Sequence, residues 1–201
     1  MKYFIFCRDQ LLLTDKGTLP IGNTPPILLE DWQKTHPLPK MDGIPCCWVS
    51  IDVPISESGF QMVGLRQSYS ILSLSDYLMA GKAYELQYWD TNTKFCGVCG
   101  APMKFHTDIS KRCTCCGKEV WPSLAVAIIV AVQRNDEILL VQSNKFRADY
   151  MGLVAGFVET GETLEDCVRR EVKEETHIEI DNIRYFGNQP WPYPSGLMIG
   201  F

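Results

Sequence analysis

Apolar residues recur every four positions at Leu164, Val168 and Val172, the spacing of a helix that buries one stripe. Thr163, followed three residues on by Asp166, is an N-cap signature, so that helix is expected to begin there. Glu171, Glu174 and Glu175 then fall at i, i+3 and i+4, together on one neighbouring face. Upstream, Met151 to Phe157 reads as a strand feeding the helix through a Gly-containing loop. LAVAIIVAVQRNDEILLVQS, residues 124–143, predicts a hairpin of two buried strands around an Arg134-Asn135-Asp136-Glu137 turn. A second helix is expected from Ser73 to Trp89, capped by Ser75, with Leu74, Leu78, Tyr84 and Tyr88 available for packing. Before it lie short β-like runs at Lys2–Cys7, Cys46–Val53 and Gln61–Leu65, separated by Pro- and Gly-containing turns. IGNTPPILLEDWQKTHPLP, from Ile21, reads as loop. The final run LMIGF should be a strand. No internal repeat or low-complexity tract interrupts these elements.

Composition narrows the classes. The 201 residues suffice for one large or two modest domains, and 46% hydrophobic content is ordinary for a soluble protein. A net charge of -5 argues against a broad nucleic-acid or membrane-binding surface. The longest apolar run, Leu124 to Val132, is too short to span a bilayer, and MKYFIFCRDQ lacks a signal-peptide core, so a cytoplasmic location is expected.

Five of the nine cysteines lie between Cys96 and Cys116, which argues against a secreted disulfide scaffold. Cys96-x2-Cys99 and Cys113-x2-Cys116, each followed by a glycine (Gly100, Gly117), have zinc-ribbon spacing. Cys115 competes in principle, but the x2 spacing favours Cys113 and Cys116. Four thiolates leave no open coordination position, so this Zn²⁺ is expected to be structural. Cys7, Cys46, Cys47 and Cys167 have no base partner in sequence and read as inert packing thiols. Residues 94 to 119 hold five cationic side chains against Asp108 and Glu119, a local excess that could help hold a phosphate-bearing substrate or simply be a solvated rim.

Carboxylates as close as Glu171, Glu174 and Glu175 repel unless a positive group sits among them. Arg170, four before Glu174, can brace that carboxylate. A hard divalent cation with oxygen ligands, Mg²⁺ or Mn²⁺, fits the set and leaves positions for water and substrate phosphates. The competing reading, a solvated helix face paired with Arg169, Arg170 and Lys173, leaves the glycine-rich approach and fixed offsets unexplained.

GFVETGETLEDCVRREVKEETHI, Gly156 to Ile178, resembles the Nudix box, G-x5-E-x7-R-E-U-x-E-E-x-G-U with U aliphatic. Every specified position matches except His177, where the family has a helix-ending Gly. A non-Gly residue there costs around 1 kcal/mol, and His is among those enriched at positive φ. NQPWPYPSG, Asn188 to Gly196, is similar to the SQPWPFPxS motif of the NADH pyrophosphatase branch of Nudix hydrolases, with Asn188, Tyr193 and Gly196 replacing the usual residues. A variable N-terminal domain, a four-Cys ribbon, the box and this motif together cover the whole chain.

The resemblance implies an α+β to α/β fold in three parts. These are a mixed α/β domain over residues 1–92, a zinc ribbon over 93–122, and an incomplete Nudix α/β/α sandwich over 123–201. It implies hydrolysis of NADH or NAD to nicotinamide mononucleotide and AMP, with possible action on NAD-capped RNA ends. Glu171, Glu175 and the Ala155 carbonyl would hold the catalytic metal, Glu174 would join the metal shell or orient water, and Arg170 would orient the carboxylates. Phe157 and Trp121 (a Tyr is usual at the latter) would stack on the dinucleotide rings, and Gln189, Pro190, Trp191, Pro192, Tyr193, Pro194, Ser195 and Gly196 would line its pocket. Arg66 matches a family Arg more weakly. Homodimers sharing residues across their sites are implied as well.

The family also continues for several tens of residues past the point reached at Phe201, with further strands, a helix and another metal-binding Glu. By that comparison the 201 residues are expected to be a piece with weak metal affinity, little turnover and an exposed sheet edge. Two other readings stand beside the favoured one: a Nudix hydrolase of another nucleotide such as ADP-ribose, and a non-catalytic dinucleotide sensor or zinc-ribbon nucleic-acid module.

Overall fold

The computed structural model describes residues 1–142 and 150–201, which form two compact units, Met1–Ser123 and Leu124–Phe201. In the first, strands β1 (Lys2–Cys7), β2 (Gln10–Thr14), β3 (His36–Met41), β4 (Ile44–Ser50) and β5 (Phe60–Gly64) form one sheet in the order β3-β4-β1-β2-β5. The β1–β4 pair is parallel and the others are antiparallel. Phe4, Ile5, Phe6, Leu11, Leu12, Leu13, Trp48 and Val49 are fully buried there, so the central strands read as continuous apolar runs.

Three expectations are corrected in this unit. The run from Ile21 is not loop throughout, because His36-Pro37-Leu38-Pro39 enters β3. Two prolines are tolerated since β3 is an edge strand, where a missing N–H removes no ladder bond to a neighbour. The long helix is α2 (Leu74–Asn92), which follows the single turn α1 (Leu65–Ser68), and its cap is Ser73 rather than Ser75. The Ser73 hydroxyl accepts from the Asp76 N–H at 3.2 Å. Leu74, Leu78 and Tyr88 are exposed, while Tyr77, Ala80, Gly81, Ala83, Leu86 and Trp89 are buried. The helix buries a face that mixes small residues with Tyr77, Leu86 and Trp89; Tyr84 does pack, on Phe6 at 5.6 Å between ring centres.

The ribbon completes the first unit with β6 (Met103–Thr107), β7 (Ser110–Cys113) and β8 (Glu119–Val120) as an antiparallel sheet. Its apolar cluster is only Cys96, Met103 and Cys113, with Ala101 and Val120 at the margin. Lys111 ties it to α2. Its ammonium donates to the Asp90 carbonyl at 2.8 Å and the Thr93 carbonyl at 3.2 Å, pairs with the Asp90 carboxylate, and lies 5.2 Å from the Trp89 and Phe105 ring centres. A lysine buried to 3% exposure is tolerable only when paired and hydrogen-bonded in this way.

The second unit contains β9 (Ala125–Val130), β10 (Gln133–Arg134), β11 (Glu137–Ile138), β12 (Val154–Phe157), helix α3 (Leu164–Thr176), β13 (Gly187–Trp191) and β14 (Gly196–Gly200). The main sheet runs β12-β9-β14-β13, with β9 parallel to β14 and antiparallel to β12. The expected hairpin over 124–143 is therefore only partly present. Its turn forms, with Arg134 opposite Glu137, but β10 and β11 pair for two residues each, and β9 spends its ladder on β12 and β14. Ser143 lies outside the described residues. Cys167, Val168 and Val172 of α3 pack on Ile128, Val130 and Val154, with Leu164 and Phe201 beside them. No helix among the described residues is long and apolar enough to cross a membrane.

Helix α3 ends as its sequence suggests. His177 adopts φ 58, and its N–H bonds to the Lys173 carbonyl at 2.9 Å. Relieving that conformation with His177→Gly should raise stability by about 1 kcal/mol, seen as a rise of a few degrees in thermal midpoint.

Candidate active site and metal centres

Residue by residue, α3 is built for a charged face. Thr163 and Asp166 form a full capping box, with the Thr163 hydroxyl accepting the Asp166 N–H at 3.1 Å. One turn further, Arg170 becomes the centre of an ion network. Its Nε and Nη2 donate to both oxygens of Glu162, at 3.0 and 2.7 Å, in a bidentate fork. Nη1 reaches Glu171 at 2.8 Å and Glu174 at 3.2 Å, and Nη2 also donates to the Phe157 carbonyl at 3.0 Å. The Glu174 brace expected from spacing is present, but Glu162, eight residues back in the loop, is the stronger partner.

Glu162 belongs to the box pattern, six after Gly156, but the sequence assigns it no role. It also accepts the Glu159 N–H at 2.7 Å, so one carboxylate closes the loop and holds the arginine. Arg170 first, and the Glu159 N–H second, hold the Glu162 carboxyl down at about 2. Because that value is depressed, the stability it contributes is present above the ordinary carboxylate range and is lost as pH falls from about 4.5 toward 2. Glu162→Gln should flatten the acid limb of a thermal-midpoint-against-pH curve in that window.

Gly156 explains why the box opens with glycine. It lies on β12 against Glu171, and a Cβ built there would fall inside the Glu171 carboxyl group. The strand thus forms a cradle that only glycine leaves open, and Glu171 fills it at 14% side-chain exposure. Loss of solvent and the Glu171 carboxylate both push the Glu175 carboxyl up. A carboxylate seated in a backbone cradle beside a second carboxylate suits a hard divalent cation. Their oxygens and those of Glu174 do not close to mutual ligand distance, whereas one cysteine set does.

That set is Cys96, Cys99, Cys113 and Cys116, whose sulfurs all lie within 4.8 Å of one another. Cys96 and Cys116 are 3.6 Å apart, and Cys99 and Cys113 3.4 Å. A tetrahedral ion with Zn–S bonds of about 2.3 Å separates its sulfurs by about 3.8 Å, so the set fits zinc. Gly100 and Gly117 both sit at φ 73 and turn each knuckle. The N–H groups of Cys115 and Cys116 point at Cys113 and hold its thiol down at about 6. Cys115 contributes this N–H but its exposed sulfur stands outside the cluster. The other four thiols are free and buried, and burial pushes Cys47 and Cys167 up to about 11.

The remaining expected site residues fall as follows. Ala155 and Phe157 flank Gly156 on β12, and Phe157 is 66% exposed. Gln189 to Trp191 lie in edge strand β13, and Pro192 to Ser195 form the turn into β14. The motif is therefore a hairpin end rather than a free loop, with the Trp191 and Tyr193 rings in edge contact at 5.3 Å. Arg66 stands on α1 and Trp121 just after β8, both within the first unit.

Residues 122–198 match the family described as NUDIX domain, and residues 2–89 match the NADH pyrophosphatase-like rudimentary NUDIX domain. The chain is 36% identical over 208 residues to the NAD-capped RNA hydrolase NudC of Stutzerimonas stutzeri, covering 98% of this chain and 72% of that protein. It is 36% identical over 204 residues to the protein of the same name from Deinococcus radiodurans, covering 99% of this chain and 71% of the relative. A solved NUDIX hydrolase from Nitrosomonas europaea superposes with a TM-score of 0.47 at 23% identity, over 54% of this chain and 65% of that one. With whole-chain identity to these proteins and both domain types in order, the chain belongs to the NudC family of Nudix hydrolases.

Proposed function

We propose that this protein hydrolyses the pyrophosphate bond of NADH or NAD to nicotinamide mononucleotide and AMP, and removes NAD caps from RNA 5′ ends. The observation that carries the reading is the Glu171 carboxylate, seated in the Gly156 cradle and held by an arginine that Glu162 fixes. The names of the relatives, NAD-capped RNA hydrolases, supply the substrate class.

Glu171, Glu175, Glu174 and the Ala155 carbonyl would hold Mg²⁺ or Mn²⁺. When bound, such an ion neutralises pyrophosphate charge and acidifies a water at the phosphorus. Arg170 holds Glu171 and Glu174 on one side of α3, and their oxygens would have to draw together with Glu175 around the ion. Phe157 and the Gln189–Gly196 hairpin end would offer aromatic faces and fixed backbone to a dinucleotide, while Trp121 and Arg66, in the first unit, are candidates by the resemblance alone. The ribbon would hold a structural Zn²⁺, and the working assembly would be a cytoplasmic homodimer. Comparing kcat/KM on NADH, NAD and ADP-ribose tests the substrate assignment. Preference for the two dinucleotides supports it, and a clear preference for ADP-ribose would replace it.

A further inference from the structure

Besides Lys111, Phe105 of β6 joins the ribbon to the rest of the first unit. Between ring centres it lies 4.7 Å from His36 of β3 and 5.8 Å from Trp89 of α2. His36 in turn stands directly opposite Trp48 of β4 in the sheet register. The two rings stack at 4.2 Å with an interplanar angle of 17°, a cross-strand pair of the stabilising kind. Trp48, His36, Phe105 and Trp89 therefore form one run of rings that passes from the sheet through the ribbon to the helix. The ribbon's own apolar cluster is three residues, so contacts beyond it decide how firmly it is held.

One member of this run takes up a proton near neutral pH. An imidazolium needs acceptors for two N–H groups. Among the described residues, no hydrogen bond or ion pair engages the His36 ring. The charged groups that act on it are Asp90 on α2, Lys111 on β7 and Lys34 in the segment before β3. Asp90 is the one anion of the three, and Lys111 already pairs with it. The stacked face of Trp48 favours a cation, whereas removal of water from the ring opposes one. Burial holds the His36 ring below its ordinary value of 6.5, with Asp90 opposing and the two lysines adding to the fall. Because the value is depressed, the stability that the neutral ring contributes is present above 6.5 and is lost as pH drops through the folded value.

We propose that neutral His36 clamps Phe105, and with it the ribbon, against the sheet, and that protonation of His36 in mildly acidic solution loosens the ribbon. The device lies wholly within the first unit and is separate from the carboxylates of α3.

The test follows amide hydrogen exchange over residues 103–113 of the protein prepared with Zn²⁺, from about pH 7.5 to about pH 5.5, corrected for intrinsic exchange. Protection there should fall severalfold, and by no more than about tenfold, the limit for one proton whose unfolded value is 6.5. His36→Phe keeps a ring between Trp48 and Phe105 but cannot titrate, so its protection should stay level. The two proteins are compared at pH values where their zinc contents agree. A second measurement does not depend on that variant's folding. Of the three histidines, His106 and His177 are exposed, so His106→Gln and His177→Asn assign the His36 ring by elimination in a nuclear magnetic resonance titration. A His36 value below 6.5 is the expected result. A value at or above 6.5, no fall in protection in the parent, or an equal fall in His36→Phe would overturn the proposal.

Discussion

Glu171→Gln should lower NADH hydrolysis by about 10³-fold, the scale on which losing one preorganised electrostatic group acts. The amide keeps the volume of the carboxyl beside Gly156, so the cradle stays filled and the fold is expected to survive. What goes is the charge. A neutral side chain there removes an oxygen anion from the proposed metal set and one of the three carboxylates that Arg170 engages. Affinity for Mn²⁺, read by electron paramagnetic resonance, should fall with it. Glu174 is more exposed and its contact with Arg170 is longer, so Glu174→Gln should cost less in both readouts. Activity of Glu171→Gln within a few fold of the parent would remove Glu171 from the mechanism.

Cys113→Ser is expected to have the largest effect on stability. Structural zinc contributes on the order of 10 kcal/mol in small domains of this kind. The ribbon has almost nothing to put in its place, since its apolar cluster is three residues, two of which are the proposed ligands Cys96 and Cys113. If the four thiolates hold zinc as proposed, the variant should fail to retain the ion, unfold residues 94–120, and free Lys111 from the Asp90 carboxylate. Metal analysis and hydrogen exchange over that segment read both effects. Cys115→Ser, by contrast, should keep its zinc, because the Cys115 side chain lies outside the cluster and its backbone N–H is unchanged. Full zinc content in Cys113→Ser would show that the four-thiolate assignment is wrong.

Features that depend on neighbours in sequence were legible without coordinates. The Thr163 capping box, the Val168 and Val172 stripe, the left-handed end at His177 and the two cysteine knuckles all follow from spacings of a few residues. What sequence alone missed depends on partners far along the chain. The hairpin over 124–143 looked self-contained, yet β9 pairs with β12 and with β14, about seventy residues on. β3 hid behind prolines that are harmless only because the strand lies at an edge. The buried face of α2 departs from the expected one because Ala80, Gly81 and Ala83 share it with Tyr77, Leu86 and Trp89, while Leu74, Leu78 and Tyr88 face outward. At the site itself the same division holds. Arg170 was expected to brace Glu174 one turn away, but its bidentate partner is Glu162 in the preceding loop, and the Gly156–Glu171 contact joins a strand to a helix.

The central claim is that the Glu171 face of α3 cleaves a dinucleotide at its pyrophosphate. Product analysis of NADH incubated with the protein and Mn²⁺ tests it most directly. Reduced nicotinamide mononucleotide and AMP in equal amounts, abolished by Glu171→Gln, is the predicted result. Intact NADH, or the same products from the Glu171→Gln variant at an undiminished rate, would contradict it.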